Sequence, residues 1–318
     1  MPQYRMIAID LDGTLLSPRG EVTPRARQAV QKCLAAGLLV CFATGRNWTE
    51  SRAILDTVGH WPTAVFVGGA MVIDTHQRVT LHRTMMEPAL AASVCDFLET
   101  QGHAVLVLQD TGTAGVDYLM TGDLPLNAAT QQWMKVTDSK VRKIARLGNY
   151  PHEHTLRVGI CAASNQIGEV KRLLDECFGE RIIAQNLRVP STGMEVLEVF
   201  DPAVNKWEGV LHVARRHGVE PAQIVAIGDD VNDIPMIRNA GLGVAKGQRP
   251  PGSASRRQTS DRGQCRRRTG SISGRTGRGT CGSANPRRKI RNPKHEIRNK
   301  SKCRRSRKFK CRVRVVFF

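Results

Sequence analysis

Apolar residues at the start of the chain fall into two patterns. Residues 7–9 and 38–43 are short runs without a polar break, the pattern of strands covered on both faces. Between them, Ala26, Ala29, Val30, Cys33 and Leu34 share one face of a 3.6-residue period. Thr23 stands where a helix cap belongs, Pro24 at the first helical position and Gly37 just past the end. A helix over 24–36 follows from these signals. A second helix is expected over 49–58, a third strand over 64–67, and a hairpin from Val72-Ile73 and residues 79–81. Strand and helix in alternation predict a doubly wound, Rossmann-like α/β parallel sheet.

Past Pro88 the texture changes. Helices are expected over 89–101 and 166–178, and strands over 104–108, 118–120, 156–161 and 182–184. Residues 85–190 therefore read as an α+β domain inserted into the first. The first domain, residues 1–84, is expected to resume over 191–245. That second part holds a strand at 194–200, a helix at 205–217 closed by Gly218, a strand at 224–227, a short helix at 233–240 and a strand at 242–245.

Charge divides the chain at the same place as pattern. Residues 1–245 hold 23 Lys and Arg against 26 Asp and Glu, a net of −3, whereas residues 246–318 hold 25 against 2, a net of +23. The basic character thus belongs to a tail, residues 246–318, with almost no apolar residue before 313–318. Disorder is the expectation for such a segment, which buries too little apolar area to offset chain ordering. The change is abrupt, Arg rises sharply, and Cys265, Cys281, Cys303 and Cys311 lack metal-ligand spacing, so the tail also reads as sequence from a shifted frame. A nucleic-acid-binding protein acting through this tail is the rival class, through non-specific attraction to phosphate backbones. No aromatic precedes Phe309 in the tail, which gives no support to base stacking.

The body carries five scattered cysteines, Cys33, Cys41, Cys95, Cys161 and Cys177, none in a Cys-x-x-Cys pair. Reduced thiols in a cytoplasmic protein are the expectation. No apolar run approaches the ~20 residues that span a bilayer, and no secretory signal is evident. Nothing in the sequence specifies an oligomeric state.

Candidate chemistry lies at the ends of the predicted strands. Asp10-Leu11-Asp12-Gly13-Thr14 follows the first strand and Thr44-Gly45-Arg46 the second. Lys206 opens a helix, and Gly228-Asp229-Asp230-Val231-Asn232-Asp233 follows a later strand. The carboxyl ends of strands are where open α/β sheets hold ligands. Together the four stretches supply a carboxylate nucleophile, a second carboxylate for proton transfer, a hydroxyl, a cation and an acidic cluster. Phosphoryl transfer through an aspartyl-phosphate needs this set, together with a divalent cation to suppress repulsion between anions. Mg²⁺, a hard ion that takes oxygen ligands and keeps waters, is the natural choice. An EF-hand reading of Asp10, Asp12 and Glu21 fails because Leu15 stands where that loop needs glycine. The histidines form no metal-like cluster.

The four motifs, in this order and with room for an insert between the second and third, resemble the haloacid dehalogenase-like phosphatases, Cof-type group, over residues 4–245. That resemblance implies that Asp10 is the nucleophile and Asp12 the general acid and base. It implies that Thr44, the Gly45 amide, Lys206 and Asn232 contact phosphate or substrate. Mg²⁺ would be bound by Asp10, the Asp12 carbonyl and Asp229, with Asp233 supporting the metal shell. The inserted domain would be a cap that closes over the site. The expected substrate is a small phosphorylated metabolite, a sugar phosphate first and a phosphorylated vitamin or cofactor next. An acid two residues past the nucleophile favours ester hydrolysis over carbon–halogen cleavage. A phosphomutase could use the same residues. The resemblance ends after Ala245, where the family would continue into another helix and a final edge strand.

Overall fold

The computed structural model describes residues 4–162, 164–188, 195–247 and 312–317. Its strands are β1 (Met6–Ile9), β2 (Leu39–Phe42), β3 (Thr63–Phe66), β4 (Met71–Asp74), β5 (Val79–Arg83), β6 (Leu106–Gln109) and β7 (Tyr118–Thr121). They continue with β8 (Val141–Ile144), β9 (Thr155–Ala162), β10 (Ile183–Arg188), β11 (Glu195–Phe200), β12 (Ile224–Gly228), β13 (Leu242–Gly247) and β14 (Arg312–Phe317). The helices are α1 (Pro24–Ala35), α2 (Trp48–Val58), α3 (Pro88–Thr100), α4 (Thr111–Ala114), α5 (Ala128–Val136), α6 (Ser164–Phe178), α7 (Lys206–Arg216) and α8 (Ile234–Asn239).

A five-stranded parallel sheet, in the order β14-β13-β12-β1-β2, carries the first layer. Strands β1 and β2 are covered on both faces, as their unbroken apolar runs require. Ile7, Ile9, Val40 and Phe42 pack with Val30 of α1 and Leu55 and Val58 of α2. Met6, Ala8 and Cys41 pack on the opposite face with Trp207, Val210 and Val213 of α7. The expected α1 begins as read, with the Thr23 hydroxyl accepting from the Ala26 amide. Ala29 departs from the expected face and is exposed. Sequence reading missed the α2 cap, where the Asn47 side chain accepts from the Glu50 amide and Glu50 accepts from the Asn47 amide. The third predicted strand, β3, meets β2 through a single bridge, Ala43 to Val65, and otherwise forms an antiparallel sheet with β4 and β5.

The second large sheet has six strands in the order β10-β11-β9-β6-β7-β8. One face packs against α3 and α6 through Val107, Val158, Ile160, Leu197 and Val199. The other face, with Tyr118, Cys161 and Phe200, shares an apolar cluster with Ile9, Leu11 and Phe66. Helix α5 and strand β8 have no counterpart in the sequence reading.

Two expectations need correction. The strand at 195–200, read as the return of the first domain, pairs antiparallel with β9 and β10 instead. The face that carries Glu198 and Phe200 is buried, with Phe200 in the apolar cluster that includes Ile9 and Phe66. Met194 and the expected boundary at 190/191 lie outside the described residues. The end of the basic tail, residues 312–317, is a strand that pairs parallel with β13 and occupies the sheet edge expected to be vacant. The Val-rich run Arg-Val-Arg-Val-Val-Phe has the composition of a strand. The expectation of disorder for residues 248–311 lies outside the described residues.

The described residues all belong to one compact unit. Among the described residues no helix is long and apolar enough to cross a membrane.

Candidate active site

Three strand ends build the site. The chain leaves β1 at Asp10, whose amide donates to the Ile227 carbonyl of β12 (3.0 Å). It leaves β2 at Ala43 and Thr44, with the Ala43 amide on the Ile9 carbonyl (2.9 Å). Strand β12 ends at Gly228, and Asp229 follows. The carboxyl ends of three adjacent parallel strands thus bring three of the four predicted motifs together.

Lys206, the first residue of α7, completes the set. Its side chain is 2 % exposed. The ammonium Nζ donates to Asp10 Oδ1 (2.6 Å) and to Asp233 Oδ1 (2.7 Å). A cation at a helix N-terminus is disfavoured by the macrodipole, and burial also opposes its charge. The carboxylates of Asp10 and Asp233 outweigh burial and hold the amine above its ordinary range. Gly69 allows this seat: it lies at φ +112°, and a Cβ there would collide with the Asn205 carbonyl.

One ammonium faces two buried carboxylates, so the cluster carries surplus negative charge. Burial pushes the Asp10 carboxyl up to about 7, Lys206 pulls against this, and Asp233 and Asp12 add to the push. Asp10 Oδ2 is buried and has no hydrogen-bond partner, which is costly for a carboxylate oxygen. Asp10, Asp229 and Asp233 each offer a carboxylate oxygen within 4.8 Å of the others. Surplus negative charge, an orphaned oxygen and an all-oxygen donor set fit a hard divalent cation.

The acids differ in how they are held. Asp233 has both oxygens on protein donors, Oδ1 on Lys206 and Oδ2 on the amides of Asp229 (3.0 Å) and Asp230 (3.2 Å). Asp229 Oδ1 accepts from the Thr14 hydroxyl (2.8 Å). Gly13, at φ +74°, passes so near that a Cβ would overlap the Asp229 carboxylate. Asp230 caps the turn that follows, accepting from the Val231 amide (2.6 Å). The Asn232 side-chain oxygen is buried without a hydrogen-bond partner.

Asp12 stands apart from the cluster. It is half-exposed and grips Arg46 through two bonds, Nε to Oδ2 (2.8 Å) and Nη2 to Oδ1 (2.7 Å). Thr44 is fully buried, and its hydroxyl accepts from the Arg46 amide (3.1 Å). The Gly45 carbonyl accepts from Arg157 Nη1 of β9 (3.3 Å).

Thr14, Arg46 and Arg157 escaped the sequence reading as site residues. Thr14 and Arg46 lie inside quoted motifs and were within reach. Arg157 has no local signal, because its partners come from distant strands. It forms a buried ion pair with Glu198 and donates to the Tyr118 hydroxyl through Nη2 (2.9 Å). Burial pushes the Glu198 carboxyl up, and Arg157 pulls it back in part.

A model of the haloacid dehalogenase-like hydrolases matches residues 7–252. The chain belongs to that family. The 5-amino-6-(5-phospho-D-ribitylamino)uracil phosphatase YwtE of Bacillus subtilis (strain 168) is 25% identical over 261 residues, which cover 76% of this chain and 87% of the relative. An HMP-PP phosphatase of Serratia proteamaculans (strain 568) is 26% identical over 257 residues, covering 78% and 85%. The crystal structure of a haloacid dehalogenase-like hydrolase from Bacteroides thetaiotaomicron shares the fold, with a TM-score of 0.64 at 19% identity, over 77% of this chain and 88% of that one.

Proposed function

We propose that this haloacid dehalogenase-like phosphatase hydrolyses a small phosphate monoester in two steps, through an aspartyl-phosphate on Asp10. The divided carboxylate of Asp10 carries the reading: Oδ1 is fixed by Lys206 while Oδ2 has no partner. In the first step an Asp10 oxygen bonds to phosphorus as the ester P–O bond breaks. The leaving alkoxide takes a proton from Asp12, whose bond to Arg46 must open for this. In the second step Asp12 takes a proton from water, the water oxygen bonds to phosphorus, and the acyl-phosphate bond breaks to restore Asp10 and release phosphate. Lys206 and the Thr44–Gly45 loop neutralise and orient the phosphoryl oxygens.

Mg²⁺ is the cation assigned to the acidic cluster. Asp10, Asp229 and the Asp12 carbonyl would hold it, and Asp233 would brace Asp229 through its backbone amide. When bound, it offsets the negative charge shared by carboxylate and phosphate. A sugar phosphate is the preferred substrate class, consistent with the phosphorylated ribityl chain in the name of the Bacillus relative. The residues read as the cap, 85–190, together with β11, would enclose the leaving group. Buried free thiols at Cys41, Cys95 and Cys161 favour a cytoplasmic location.

The test is a panel of phosphate esters assayed with and without Mg²⁺. Hydrolysis is expected for one or more sugar phosphates with Mg²⁺, falling to background with EDTA. Cation uptake must displace any proton on Asp10, so apparent Mg²⁺ affinity rises with pH up to about 7 and then levels. Undiminished turnover in EDTA would count against the cation assignment, and a silent panel against the phosphatase reading.

A further inference from the structure

The six-stranded sheet touches the proposed phosphate-binding loop at several polar points, and they converge on six consecutive residues. Arg157 donates to the Gly45 carbonyl (3.3 Å). The Asn47 amide group donates to the Ser139 hydroxyl (3.4 Å), and the Thr49 hydroxyl to buried Asp117 (2.7 Å). The Tyr118 hydroxyl donates to Glu50 Oε1 (3.3 Å). These residues, 45–50, are the loop after β2 and the first turn of α2.

Arg157 is the central member. Its guanidinium is almost wholly buried, paired with Glu198, bonded to Tyr118 and placed over the Phe200 ring at 5.9 Å. Burying such a pair costs desolvation that well-packed apolar residues avoid, so an ion pair here is weak evidence for a purely stabilising role. The contact with the loop is specific. The carbonyl that Arg157 holds belongs to the Gly45–Arg46 peptide, the amide of that peptide is on the Thr44 hydroxyl, and the Arg46 side chain reaches Asp12. One guanidinium therefore fixes the plane of a peptide that sits between the phosphate-binding amide and the partner of Asp12.

We propose that Arg157 is a positioning residue, through which the six-stranded sheet sets the Thr44–Gly45–Arg46 loop for phosphate. This rests on the phosphatase reading above. Arg157 does not contact the reacting atoms; it acts through the Gly45 carbonyl, with Glu198 and Tyr118 holding its guanidinium in place. Without it the loop loses the orientation that binds a phosphate group, whatever leaving group is attached.

The experiment measures inhibition by inorganic phosphate, alongside kcat and KM, in the full-length wild type, Arg157→Ala, Arg157→Lys and Tyr118→Phe. Arg157→Ala is expected to raise the inhibition constant for phosphate by about tenfold, as loss of a charged hydrogen bond implies, and to raise KM in parallel. Guanidinium at low millimolar concentration should recover about threefold or more of the lost activity, whereas Arg157→Lys should recover little, because an ammonium cannot reproduce the forked contact. Tyr118→Phe removes one hydroxyl without changing shape, so it remains informative if Arg157→Ala fails to fold; about threefold weaker phosphate inhibition is expected. Phosphate inhibition within twofold of wild type in the folded variants would overturn the proposal, even if their melting temperatures fell. A wild type that neither hydrolyses esters nor binds phosphate would overturn the phosphatase reading instead.

Discussion

Asp10→Asn is expected to lower kcat by at least about 10⁴-fold, the scale on which loss of a covalent nucleophile is felt. The carboxamide keeps the shape of the carboxylate, and its oxygen can still accept from Lys206 Nζ in place of Oδ1. It has no anionic oxygen to bond to phosphorus. The same change relieves the surplus charge, because one ammonium then faces one buried carboxylate, Asp233, rather than two. The metal-free variant should therefore resist urea as well as the wild type or better. Steady-state kinetics and equilibrium unfolding on the same preparation check both halves. A variant with little turnover and undiminished stability isolates a chemical role; a residue needed only for folding would lose both.

Lys206→Met carries the second large effect, and here stability and turnover are both expected to fall. Methionine fills a similar volume but removes the charge, leaving Asp10 and Asp233 buried and uncompensated. Breaking one side of a buried ion pair typically costs about 3–5 kcal/mol. Loss of one charge-stabilising donor at a transition state lowers kcat by about 10²–10³-fold. The stability deficit depends on pH. Without the ammonium, the Asp10 carboxyl, already raised by burial, moves further above its unfolded value of about 4. Folded protein then binds more protons than unfolded protein between those two values, so stability is greater at low pH and is lost as pH rises through the raised value. Urea unfolding at pH 5.5 and pH 8 is expected to show the larger deficit at pH 8. Equal deficits at both values would mean that the carboxylates are not left facing one another.

The grouping of the candidate residues was legible in the sequence because each motif is local. Asp10, Asp12 and Gly13 lie within four residues, and a buried strand delivers them to the carboxyl end of the parallel sheet. Lys206 is less legible, since a lysine at the start of a helix is ordinarily solvated; only its company marks it. The fold was legible where pattern alone specifies an element. It was not legible where the partner matters, as at Glu195–Phe200, whose Val-, Leu- and Phe-rich sequence predicts a strand but not the sheet it joins. Arg157, Tyr118 and Glu198 were missed for the same reason. They are single polar positions in three separate strands, and only the packed sheet brings them to one point above the loop at Gly45.

Acid quenching during turnover, followed by borohydride reduction and peptide mass spectrometry, tests the central claim most directly. A phosphorylated aspartate is reduced to homoserine, and that conversion is expected at position 10, only when substrate and Mg²⁺ are both present, and not in Asp10→Asn. Active enzyme quenched under the same conditions with an unmodified Asp10, or with the modification at another residue, would contradict it.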